Sequence, residues 1–94
     1  MRAAIFDEPG LTNLKVMDDV NKPQINDHDV LVRVKVAGVN PIDNFVISGA
    51  LPKIIPQPNH IPGAEISGIV EEVGSHVKKN NLKKGDRVTL HNKV

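Results

Sequence analysis

Val30, Val32, Val34 and Val36 alternate with Leu31, Arg33, Lys35 and Ala37, a period of two that sets β-branched side chains on one face and two cations on the other. This is the clearest strand in the chain. Residues 1–6 form a shorter strand closed by Glu8-Pro9-Gly10, a turn sequence, and Leu14 to Met17 reads as its hairpin partner. Pro23 to Asp29 is polar and reads as a connection. Asn40 offers a helix N-cap, Pro41 suits the first helical position and Gly49 suits the end, so residues 41–48 are predicted to form a short helix. Pro52, Pro56, Pro58 and Pro62 then remove backbone donors, which predicts an ordered loop over the surface or across the mouth of a site. Ile66 to Val73 is a second strand, with Gly68 expected to mark a bulge or tight bend or to let a neighbouring strand pass. Lys84-Gly85-Asp86 makes a turn and Arg87 to Leu90 a last strand. The class expected is mainly β: a small, partly open barrel with one short helix.

Composition narrows the chemistry. Ninety-four residues allow one domain, with about 60–65% of the unfolded surface buried. The only aromatic residues are Phe6 and Phe45, so Val, Ile, Leu and Ala must fill the core. A formal charge of +1 from scattered side chains argues against nucleic acid, and the cluster Lys78, Lys79, Lys83 and Lys84 reads as a solvated loop. Absent cysteine removes disulfides, thiolate nucleophiles and Cys-ligated zinc from these residues. Asp7 and Glu8 interrupt the stretch in which a signal peptide needs apolar residues, and no run of about 18 apolar residues occurs. A soluble, cytoplasmic protein without a membrane partner is expected.

Pro62-Gly63-Ala64-Glu65-Ile66-Ser67-Gly68-Ile69-Val70-Glu71-Glu72-Val73-Gly74, followed by Lys84-Gly85-Asp86-Arg87-Val88, resembles the signature of the medium-chain dehydrogenase/reductase superfamily. Ala37-Gly38-Val39-Asn40-Pro41-Ile42-Asp43 through Ser48-Gly49 is similar to its substrate-side segment, and residues 1–6 to its first strand. The resemblance spans nearly the whole chain and implies a GroES-like fold over residues 1–94. It also implies a nicotinamide cofactor, NADPH, bound by a Rossmann domain that these residues do not contain: G-x-G-x-x-G is absent. The chain alone is therefore expected to be inactive.

Zinc-dependent members of that superfamily carry Cys and His where this chain has Asn40 and Ala64, so no metal site is expected here. Asp43 and Glu65 at matching positions read as a helix-surface carboxylate and a strand-end carboxylate that pairs with a cation. The histidines His28, His60, His76 and His91 lack H-x-x-H and H-E-x-x-H spacing and read as surface or loop residues. His60, at the end of the proline-rich loop, is also a candidate substrate contact, with Phe45 as a second. Asn40-Pro41-Ile42-Asp43 resembles the stretch of zinc-free quinone oxidoreductase-like members in which the asparagine faces nicotinamide and substrate, which implies a catalytic and cofactor-facing Asn40. Its amide could polarise a substrate carbonyl, it could simply cap the helix, or it could do both. Those relatives often carry tyrosine and arginine where Phe45 and Ile47 stand, so neither role transfers.

The leading reading is the substrate-side domain of a zinc-independent NADPH-dependent oxidoreductase that transfers hydride to quinones, enones or carbonyl compounds. Its expected partners are a small-molecule substrate, the nicotinamide and a second copy in a homodimer. A free-standing co-chaperonin-like module and a zinc-type alcohol dehydrogenase relative are the alternatives; the helix after Asn40 has no place in the first.

Overall fold

The computed structural model describes residues 1–51 and 58–91, which leaves Pro52 and Pro56 of the proline-rich loop outside the described residues. Strands dominate, with one α-helix, and the described strands form separate two-stranded and three-stranded sheets without closing a barrel. The chain divides into two compact units, Met1–Asn21 with Gly38–Ala64, and Lys22–Ala37 with Glu65–His91. No helix among the described residues is long and apolar enough to cross a membrane.

In the first unit, β1 (Ala3–Ile5) pairs antiparallel with β2 (Lys15–Met17), Ala4 opposite Val16, as the apolar pattern predicted. A single 3-10 turn, Leu11–Asn13, sits between them. Helix α1 (Pro41–Ser48) begins and ends where its cap residues indicated. Its buried Val46 and Ile47 pack with Phe6, which is fully buried, and Leu14, Ile42 and Leu51 close around them. A single aromatic ring thus anchors a core otherwise built of aliphatic residues. Gly49 ends the helix in the left-handed region at φ 81°, the conformation glycine adopts without a Cβ penalty. The Gly10 N–H donates to the Ile47 carbonyl at 2.7 Å, tying the turn after β1 to the last turn of α1.

The second unit holds the sheet β3–β4–β5, with β3 at Val30–Gly38, β4 at Glu65–Val73 and β5 at Arg87–His91. Register between β4 and β5 is unbroken from Glu65 opposite His91 to Ile69 opposite Arg87, and Gly68 pairs regularly with Val88. The β4–β5 ladder thus carries no bulge at Gly68. The close passage of a neighbouring strand, also expected there, is present: a Cβ at this position would lie 2.2 Å from the Arg33 carbonyl oxygen. On β3, Leu31 is buried while Val34 and Val36 are 51% and 64% exposed. Alternation distinguished the two faces of this strand, but it did not say which one would be covered.

Candidate functional site

Site geometry begins at the entry to α1. Asn40 is extended at φ −125° and ψ 162°, which breaks the helical path, and Pro41 at the first helical position presets the turn that follows. Asn40 and Asp43 form a capping box. The Asn40 N–H donates to Asp43 Oδ2 at 2.9 Å, and the Asp43 N–H reaches the Asn40 carbonyl at 3.0 Å. The capping half of the expectation for Asn40 is thus met.

Asp43 departs from its expected place on the helix surface. It is only 6% exposed, because the same helical face carries the buried Val46 and Ile47. Its second oxygen, Oδ1, has no hydrogen-bond partner among the described residues. The N-x-x-D spacing was visible in the sequence as a cap, but burial of its acid was not.

Phe45 lies on the open side of α1, 47% exposed, while its carbonyl accepts the Ala50 N–H at 3.0 Å and so helps close the helix end. Its ring is free of the core that holds Phe6.

His60 is more firmly held than a loop histidine. It forms an isolated antiparallel bridge with Phe6, with N–H to carbonyl bonds of 3.0 and 3.1 Å, and its ring lies 5.1 Å from the Phe6 ring at 52°. The neighbouring Asn59, in the left-handed region at φ 58°, donates its N–H to Asp7 Oδ1. Phe6 and Asp7 are the residues that sequence reasoning missed; they lie some fifty positions away, and nothing local links them to His60. Asn40, Phe45 and His60 all belong to the first unit, with Asn40 fixed by Asp43 and His60 by Phe6.

Ala64 is buried at 3% and offers no donor atom, and among the described residues no group of three His, Asp or Glu side chains is disposed to hold a metal ion. Glu65 begins β4 and pairs with a histidine, His91 Nδ1 to Glu65 Oε1 at 3.5 Å, in line with a strand-end carboxylate. Elsewhere, His28 and His76 meet ring to ring at 5.0 Å on the second unit, and His91 is a strand residue of β5.

The second unit carries the main electrostatic feature. Glu71 accepts from both Lys22 Nζ and Arg33 Nη2 at 2.8 Å. Hydrogen bonds from Lys22, then Arg33, lower the Glu71 pKa to about 2. Asp86 is held below the usual range by its side-chain bond to Lys83. A shallow groove of about 590 Å³ lies beside this network, lined by Lys22, Glu71, Glu72, Leu82, Lys83 and Lys84. None of the site residues expected from the sequence lines it.

A capped short helix packed on Phe6, a histidine bridged to the same residue and strands brought close at glycine define a mainly β domain of the partly open, GroES-like kind. The alcohol dehydrogenase GroES-like domain model matches residues 26–93, and the chain belongs to that family, within the medium-chain dehydrogenase/reductase superfamily. Mouse quinone oxidoreductase is 39% identical over 95 residues, covering 100% of this chain and 28% of that protein. The cobalt- and zinc-bound thermostable alcohol dehydrogenase of Pyrobaculum aerophilum superposes with a TM-score of 0.82 at 46% identity, covering 95% of this chain and 25% of that one. Escherichia coli quinone oxidoreductase complexed with NADPH gives 0.84 at 29% identity, covering 100% and 28%. The chain thus spans about a quarter of the length of these relatives.

Proposed function

We propose that this chain is the substrate-side domain of a zinc-independent, NADPH-dependent oxidoreductase acting on quinones, enones or related carbonyl compounds. The capping box at Asn40 carries the reading. It holds a polar side chain at the mouth of α1, where a hydrogen bond from the Asn40 amide would stabilise charge developing on a carbonyl oxygen. Phe45 supplies a half-exposed apolar ring one turn further on, and His60, braced on Phe6, is a second substrate contact.

NADPH supplies the hydride when bound. No phosphate-cradling fingerprint occurs in these residues, so the cofactor's phosphates would be held elsewhere in the whole protein, and Asn40 would meet its nicotinamide end. The mouse and E. coli quinone oxidoreductases support the substrate class, and the E. coli protein, complexed with NADPH, supports the cofactor. The buried, donorless Ala64 and the commitment of Asp43 Oδ2 to the Asn40 N–H do not fit a catalytic zinc, which needs three protein ligands and an open position.

One observation favours a second reading: the Pyrobaculum enzyme, at 46% identity, is an alcohol dehydrogenase bound to cobalt and zinc. The two readings separate in the complete protein. Under the first, NADPH oxidation with a quinone acceptor proceeds equally before and after dialysis against a chelator. Loss of turnover on chelation, restored by zinc, would instead establish the alcohol dehydrogenase reading.

A further inference from the structure

The two oxygens of the buried Asp43 do different things. Oδ2 accepts the Asn40 N–H at 2.9 Å, and Oδ1, sealed from solvent, has no partner among the described residues. The capping box needs one side-chain acceptor at the third helical position, and a neutral amide supplies it as a carboxylate does. Burying a carboxylate with one oxygen uncompensated is more costly than burying its neutral isostere. Beyond accepting that bond, the charge of Asp43 offsets the positive end of the helix dipole. Asp43 is also the only charged residue of α1, in the sequence Pro-Ile-Asp-Asn-Phe-Val-Ile-Ser. It occupies the first turn of the helix, where backbone N–H groups and the helix dipole otherwise attract anions.

We infer that Asp43 is a specificity-determining residue: its buried carboxylate neutralises the anion-attracting end of α1 and makes the site beside Asn40 select neutral carbonyl compounds over anionic ones of the same shape. The inference rests on the reading in which Asn40 meets the substrate carbonyl. Asn40 is the cap and Asp43 lies three residues on, about 4.5 Å along the helix axis, so a ligand held by Asn40 comes within a turn of the carboxylate. At an effective dielectric near 20, a like charge about 8 Å away is disfavoured by more than tenfold. Asn at position 43 would keep the acceptor for the Asn40 N–H and remove the charge.

The test compares the complete wild-type protein with Asp43→Asn, using 1,4-naphthoquinone and its 2-sulfonate as a matched neutral and anionic pair. Turnover and calorimetric binding are measured for each. Wild type should prefer the neutral quinone by about tenfold or more, and Asp43→Asn should narrow that preference by about tenfold, through KM and Kd of the sulfonate. The neutral quinone serves as the reference, so the ratio between the two quinones carries the test. An unchanged ratio in folded Asp43→Asn overturns the inference, and so does an equal loss with both quinones, which would make Asp43 a cap only. If Asp43→Asn does not fold, Asp43→Glu and Asp43→Gln are compared instead: only the neutral Gln should narrow the preference, and an equal preference in the two overturns the inference. A protein that reduces neither quinone refutes the proposed reaction, and the two calorimetric Kd values then still test the charge selection.

Discussion

Gly68 on β4 runs against the backbone of Arg33 on β3, so closely that a Cβ would sit 2.2 Å from the Arg33 carbonyl oxygen and 2.9 Å from its carbonyl carbon. Both obstacles are backbone, which cannot rotate away. Gly68→Ala should therefore push the strands apart and cost about 3 kcal/mol or more, measured as a lowered urea midpoint. Stability within a few tenths of a kcal/mol of wild type would show that the sheet accommodates the methyl group.

Glu71 joins β4 to Lys22 and to Arg33 on β3, and its pKa is lowered to about 2 from an ordinary 4.5. A carboxylate depressed in the folded state stabilises it above the unfolded value, and that contribution is lost as pH falls through the folded one. Wild-type stability should therefore decline from about pH 4.5 down to about 2. Asp86, lowered by its bond to Lys83, acts in the same direction. Glu71→Gln should be less stable at neutral pH and lose part of the acid slope, as read from urea midpoints at each pH. An identical slope in the variant would remove Glu71 from the account.

In the complete protein, Asn40→Ala should lower kcat/KM by about 10–1,000-fold if the amide stabilises developing negative charge. Capping alone predicts about 1 kcal/mol of lost stability and little kinetic effect. Asn40→Ser separates the two, because serine caps as well but lacks the amide. Asn40→Asp is a poorer discriminator, since it brings a second carboxylate beside the buried Asp43. Near-normal turnover in Asn40→Ser would leave Asn40 as a structural cap.

Protein purified without a metal-affinity tag should contain well under one zinc per chain, by elemental analysis. The expectation follows from Ala64, buried without a donor, and from the absence of cysteine. One tightly held zinc per chain would overturn it.

The 94-residue chain by itself should give no saturable heat on titration with NADPH, because the loop and helix that cradle a dinucleotide's phosphates are missing from its sequence. Micromolar binding would mean that these residues hold the cofactor by a route unrelated to that fingerprint.

Local order was legible because local physics produces it. The alternation in residues 30–37, the mostly apolar stretch of residues 3–6 and the triplet Asn40, Pro41 and Gly49 each encode an element within a few residues. The strands and α1 appeared there with their ends shifted by a few positions at most. The family, too, was legible in the spacing of residues 62–74 and 84–88, and the domain model matched across 26–93. Three things needed tertiary structure. Sequence left Gly68 between a bulge, a bend and the close passage of a strand, whereas the fold shows that the backbone of Arg33 on β3 is what comes close. Sequence put Asp43 on a surface, whereas packing of α1 on Phe6 turned that face inward. The bridge that braces His60 joins it to Phe6, fifty-four positions apart in the chain. Burial and long-range pairing depend on which faces meet once the chain has folded; periodicity shows that a strand or helix has two faces but carries no information about what will cover them.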